Sequence, residues 1–167
     1  MERIRVNYHS GRPALVAGDQ LQFKGRRYYF ADTIELNKAE VFVSPFDLNI
    51  EQGRIEEPLK PMIRFGTPVF DADGGKIGAI VLNYLGQRLI DKLRELTDLL
   101  PGHHMLLNRE GFWIISPSKE DEWGFMYPDG KDRTFRIRNA NLWAKMQQKR
   151  HGQFFHQGAL YTYDTMA

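Results

Sequence analysis

The sequence predicts an α+β fold of antiparallel strands with flanking helices. Two observations carry this. Segments rich in β-formers recur in pairs joined by short turns containing Gly, Asn or Asp, the pattern of hairpins. One long stretch after Gln87 changes to helical spacing. The length, 167 residues, allows one ordinary domain or two small ones sharing an interface.

In order, Ile4 to Tyr8 alternates apolar and polar residues and reads as a strand, with His9 to Pro13 as its turn and Ala14 to Ala17 as a short partner. Gln20 to Leu36 mixes aromatic and charged residues and reads as short helical or irregular segments around Arg27-Tyr28-Tyr29-Phe30. Three stronger strands follow, at Glu40–Ser44, Met62–Phe70 and Lys76–Tyr84. Asp71-Ala72-Asp73-Gly74-Gly75 joins the last two as a hairpin turn. Lys76–Tyr84 is almost continuously apolar, so it is expected to be central and covered on both faces.

Leu89, Ile90, Leu93, Leu96 and Leu100 then fall at helical spacing, opposite Arg88, Asp91, Lys92, Arg94 and Glu95, until Pro101-Gly102 stops the helix. Met105–Leu107 and Phe112–Ile115 form a second hairpin around Asn108–Gly111. Trp123 to Asp132 reads as loop, and Ala140 to Arg150 as a helix ended by Gly152. Gln153–His156 and Ala159–Tyr163 form a third hairpin around Gln157-Gly158. The segment from Val69 to Gly74 resembles that from Leu106 to Gly111, each an apolar strand, then Asp or Asn, two spacers and Gly. Two copies of a small α+β unit would produce this echo, and so would two hairpins with the same turn chemistry; the repeat is the reading adopted.

Composition excludes several classes. Hydrophobic residues make up 42% and charged residues 26%, an ordinary globular balance. The formal net charge is +2, and the short basic runs Lys24/Arg26/Arg27 and Lys145/Lys149/Arg150 form no nucleic-acid stripe. Without cysteine there are no disulfides, thiolate metal sites or cysteine nucleophiles. No apolar run approaches the roughly 20 residues that cross a bilayer.

The stretches Val41–Asn49, Gly53–Glu56, Pro58–Arg64 and Thr67–Asp71, with Arg27-Tyr28-Tyr29-Phe30 before them and Val81-Leu82-Asn83-Tyr84 after, together resemble the double Cache family of PAS-like periplasmic sensor domains. Leu106–Trp113 and Glu120–Met126 resemble the linker and second module of one branch of that family, so the likeness covers nearly the whole chain. It implies an antiparallel PAS-like sheet with flanking helices, present twice in tandem. The expected division is a first module at 1–86, a connecting helix at 87–101 and a smaller, shortened module at 102–167. It also implies a leading helix that is missing here, membrane anchorage only through segments outside this stretch, and a periplasmic location on an inner-membrane protein. The parent would be a homodimeric receptor of diguanylate cyclase (GGDEF), histidine kinase or chemoreceptor type.

In the amino-acid-binding branch, an Arg before an aromatic pair holds the ligand carboxylate and two Asp residues hold its amine. Arg27 with Tyr28 and Tyr29 matches the first element, while Phe42, Ser44 and Asn83 fall where the aromatic and the two Asp would stand. With both carboxylates absent, an organic anion or other small polar ligand fits Arg27, Ser44, Arg64 and Asn83 better than a free amino acid. A structural reading stands beside this one, with Tyr28, Tyr29 and Phe30 in the core and Arg27 paired to an acidic residue.

Other candidates read as structural. Asp47, Asn49, Arg54 and Glu56 form a loop network. Asp71–Gly74 lacks the Gly and Glu that a calcium loop needs, with Lys76 and Leu82 in their places. His103-His104 has no third metal ligand nearby, and Glu120-Asp121-Glu122 reads as an exposed turn. No base, acid and positioned site assemble, so no catalysis, cofactor or metal is expected. The expected function is an extracytoplasmic small-molecule sensor with its ligand in the first module. A non-binding spacer module and a stand-alone α+β enzyme are the rivals.

Overall fold

The computed structural model describes residues 1–9 and 11–166. Ser10, in the expected turn at His9–Pro13, lies outside the described residues. The elements in order are β1 (Val6–His9), β2 (Arg12–Leu15), α1 (Tyr28–Glu35), β3 (Phe42–Val43), β4 (Asp47–Leu48), β5 (Ile50–Glu51), β6 (Arg54–Ile55), β7 (Pro61–Phe70) and β8 (Lys76–Leu85). After these come α2 (Gln87–Asp98), β9 (Leu106–Leu107), β10 (Trp113–Ile115), α3 (Phe135–Arg138), α4 (Ala140–Met146), β11 (His151–His156) and β12 (Ala159–Asp164). They fall into two compact units: unit 1 is Met1–Pro45 with Met62–Leu85, and unit 2 is Phe46–Pro61 with Gly86–Ala167.

In unit 1, β7 and β8 form the longest hairpin, with Arg64 opposite Asn83, Phe65 opposite Leu82 and Thr67 opposite Ile80. Asp71 builds its turn, its Oδ1 accepting from the N–H groups of Asp73 at 3.1 Å and Gly75 at 2.6 Å. On the other side of β7, β3 pairs through Phe42 with Gly66 and Val43 with Phe65. Directly opposed residues share a face. One sheet face therefore carries Phe42, Arg64, Gly66, Val81 and Asn83, and the other Val43, Ile63, Phe65, Ile80, Leu82 and Tyr84.

Helix α1 packs on the first face. A Cβ on Gly66 would stand 2.1 Å from Thr33 Oγ1, so only glycine lets the helix approach this closely. Thr33 is fully buried and its hydroxyl donates to Tyr29 O at 2.5 Å. Lys76 ends the helix, its Nζ donating to Ile34 O at 2.8 Å and Glu35 O at 3.3 Å, where the helix dipole favours a cation.

The second face departs from the sequence expectation. β8 is not a central, doubly covered strand: among the described residues it pairs with β7 alone. Ile80 is 63% exposed and Leu82 64%, with Ile77, Tyr84 and Leu85 also exposed. A continuous apolar run reads the same whether its second face is covered or open. The strand expected at Glu40–Ser44 likewise shortens to Phe42–Val43.

Unit 2 holds nearly all the buried apolar side chains. Leu48, Ile90, Ile114, Ile115 and Trp123 form one cluster; Trp113, Phe135 and Leu142 form another. The hairpins predicted around Asn108–Gly111 and Gln157-Gly158 are present as β9–β10 and β11–β12. Asn108 Oδ1 accepts from Glu110 and Phe112 N–H in the first turn. Gln157 and Gly158 both have positive φ in the second, which suits the right-handed twist of the flanking strands. Gln52 (φ 50°) and Gly53 (φ 80°) make a third such turn between β5 and β6, where the sequence showed only a loop. Helix α2 is rotated from the expected leucine stripe: Ile90 and Leu93 pack inward, whereas Leu89, Leu96 and Leu100 are exposed. Helix α3, also unforeseen, is capped by Thr134, whose Oγ1 accepts from Ile137 N–H at 3.0 Å.

Candidate functional site

The residues predicted to bind a ligand gather on the α1 face of unit 1. Arg64, on β7, is only 4% exposed, and its guanidinium lies over the Tyr29 ring with Cζ 4.9 Å from the centroid. Tyr28 meets Tyr29 edge-on at 5.5 Å and Phe42 at 6.4 Å. Asn83 is exposed and sits opposite Arg64 in register. Arg27 occupies the N-cap of α1, half-buried. Ser44 continues the β3–β7 pairing: its N–H donates to Arg64 O at 2.8 Å and its Oγ accepts from Arg64 N–H at 2.8 Å. The same hydroxyl donates to Pro45 O at 2.7 Å, which leaves it a lone pair but no proton to offer a ligand. The arrangement can present buried positive charge beneath an aromatic wall, with the Asn83 amide beside it.

In the loop network of unit 2, Asn49 Nδ2 donates to Glu56 Oε2 at 2.7 Å, and Lys60 bonds Glu56 Oε1. The hydrogen bond from Lys60 is the main reason the Glu56 carboxyl titrates below its ordinary 4.5. Burial opposes this, and the Asn49 amide and the Lys60 charge add to the lowering. Of the Glu120-Asp121-Glu122 run, only Glu120 is exposed. Asp121 Oδ2 accepts from Arg138 Nη1 at 2.6 Å, and Glu122 Oε1 from Arg94 Nη2 at 2.6 Å, so the expectation of an exposed turn fails at both.

Sequence reasoning missed a cleft of about 320 Å³ in unit 2. Helix α2 supplies Gln87, Ile90 and Arg94; Leu59 comes from the loop before β7. Lys119, Glu120, Glu122, Trp123 and Tyr127 come from two short 3₁₀ turns, and Arg133 from the stretch after them. The signal available was the 87/90/94 spacing, which puts those three side chains on one side of a helix. Among the described residues, no three His, Asp or Glu converge as a metal site, and no helix is long and apolar enough to cross a membrane.

Comparison with known proteins settles the family. All 167 residues match the family "Bacterial histidine kinase, sensor domain". The chain is similar in structure to the domain of a sensory box/GGDEF family protein from Vibrio parahaemolyticus (TM-score 0.79, 21% identity, 99% of this chain and 62% of that one). It is also similar to the extracellular domain of the histidine kinase vpHK1S-Z8 (TM-score 0.76, 22% identity, 97% of this chain and 57% of that one). It thus spans about three fifths of each. No curated protein matches it. The α+β fold with antiparallel sheets, expected from the Cache-like resemblance, is the fold these sensor domains share. On the match along its whole length, the chain belongs to the sensor domains of bacterial histidine kinases.

Proposed function

We propose that this domain senses a small polar or anionic molecule outside the cytoplasm, at the α1 face of unit 1. In this reading its parent is a homodimeric membrane receptor with a histidine kinase or GGDEF output. One observation carries the proposal: Arg64, Tyr29, Phe42, Ser44 and Asn83, distant in sequence, meet on one sheet face around a buried guanidinium. A guanidinium held at the sheet face beneath an aromatic ring can bind an anion through charge-assisted hydrogen bonds. Occupancy would favour one of two receptor arrangements, which is how a ligand with differential affinity transmits a signal. The extracellular origin of one similar structure supports the location.

A second reading has its own support. Tyr29 already covers the Arg64 guanidinium, and Tyr28 packs on Phe42, so the face could be filled by its own side chains and serve as a spacer. A thermal-shift screen with organic acids, amino acids and amines separates the two. Sensing predicts a rise in melting temperature within one chemical class, worth about 2.7 kcal/mol at a hundredfold excess over Kd. The rise should disappear in Arg64→Gln. Folded protein that responds to none of the classes would establish the spacer.

A further inference from the structure

We infer that the cleft in unit 2 is a second binding site, for a small monocarboxylate with an apolar or aromatic body. It shares no residue with the unit 1 face and does not depend on the reading given there.

The charges lining the cleft leave an excess of one. Arg94, Lys119 and Arg133 face two carboxylates, Glu120 and Glu122. Glu122 is already committed: its Oε1 accepts from Arg94 at 2.6 Å and from Ser116 N–H at 3.1 Å. Its negative charge is therefore already matched by Arg94. Lys119 and Glu120 are both exposed. Arg94, Lys119 and Arg133 all keep N–H donors beyond these bonds, and Arg133 is the one set beside the aromatic wall. Its Nη1 donates to Glu120 O at 2.5 Å, its Nη2 stands 3.8 Å from the exposed Asp129 carboxylate, and its Nε is buried with no hydrogen-bond partner among the described residues. The side chain as a whole is 26% exposed, so the donors a ligand can reach are on its outer nitrogens. Its Cζ lies 5.2 Å from the Tyr127 ring centroid, which holds the guanidinium in place for a forked carboxylate.

Apart from Gln87 and the Tyr127 hydroxyl, the remaining wall is apolar. Trp123 is 3% exposed, and Leu59 and Ile90 line the cleft with it. Trp123 is also held in the left-handed region at φ 60°, uncommon for a bulky residue, and its N–H donates to Trp113 O at 2.8 Å. The backbone that carries the Trp123 ring is thereby fixed before a ligand arrives, which lowers the ordering cost of binding. A volume of about 320 Å³ lies at the small end of ligand pockets. One carboxylate with a compact apolar body matches this charge, wall and size together.

Phenylacetate is a suitable probe, titrated into the ¹⁵N-labelled 167-residue chain and followed by NMR. The expected result is saturable shifts at Lys119, the Trp123 indole, Tyr127 and Arg133, with no such shifts for phenylacetamide. Lys119→Gln and Arg133→Gln should each weaken binding at least about tenfold, while Arg64→Gln leaves it unchanged. Exposed Lys119 decides the matter if the Arg133 variant fails to fold. The proposal is overturned by absence of saturable shifts up to about 10 mM, the weak end of specific affinity. Shifts centred on unit 1, equal binding of the amide or of phenethylammonium, or undiminished affinity in Lys119→Gln would overturn it too. Because Arg64→Gln tests only the unit 1 site, failure of one site is distinguishable from failure of the other.

Discussion

Unit 1 and unit 2 bury their apolar residues very differently. Of the buried hydrophobic side chains Leu48, Met62, Ile90, Phe112, Trp113, Ile114, Ile115, Trp123, Phe135 and Leu142, only Met62 belongs to unit 1. Unit 1 instead has one sheet face closed by α1 and one face on which Val43, Ile80, Leu82 and Tyr84 are exposed. Unit 2 closes two clusters around aromatic side chains and ties its charged segment down with the Arg94–Glu122 and Arg138–Asp121 pairs. The contrast teaches that a strongly apolar strand does not by itself make a core. What makes one is a second layer on the far side.

The largest effect expected from this contrast is in unit 2. Ile114 is 2% exposed and packs within the Leu48, Ile90 and Trp123 cluster. Ile114→Ala should cost about 2–5 kcal/mol, read from urea unfolding at unchanged slope, because close-packed surroundings collapse only partly into the cavity. A loss under about 1 kcal/mol would mean that the cluster is loose, and the contrast between the units would vanish.

Much of the architecture was legible because turn chemistry is local. Asp71 and Asn108 each use one side-chain oxygen to take two backbone N–H groups, and both turns stand where the sequence placed them. The candidate face in unit 1 was legible only in part: the Asp71–Gly75 turn starts the β7–β8 pairing, but a register shift between Val69 and Phe70, which no local signal marks, is what sets Arg64 opposite Asn83. The exposed side of β8 was not legible, since an apolar strand carries no mark of what lies over it. Nor was the unit 2 cleft. Glu122 meets an arginine 28 residues away and Asp121 one 17 away, and no local pattern announces such pairs. Trp123, set among acidic residues and glycine, gave no hint that it would be buried.

A middle-sized effect should mark the closed face of unit 1. Gly66→Ala places a methyl group 2.1 Å from Thr33 Oγ1, in the contact of α1 with the sheet. Overpacking of this kind costs about 1–3 kcal/mol. Thr33→Ser removes a methyl group but keeps the hydroxyl that the new Cβ meets, so it should restore little of that loss; Thr33→Ala should restore more. Denaturant midpoints of the two double variants measure the difference. Equal recovery would show that the steric conflict is not with the hydroxyl.

The smallest expected effect is the sharpest test of the open face. Leu82 is 64% exposed on β8, with Phe65 opposite it and Ile80 and Tyr84 on the same side. Leu82→Lys places a charge where water already reaches, so stability should change by no more than about 0.5 kcal/mol. A charge on an exposed apolar strand also opposes edge-to-edge association, so solubility should rise. Sedimentation and urea unfolding of the variant read both quantities. A loss of more than about 1 kcal/mol that grows with protein concentration would mean that another surface covers this face in solution. The two units would then differ in what covers their sheets, and not in whether they are covered.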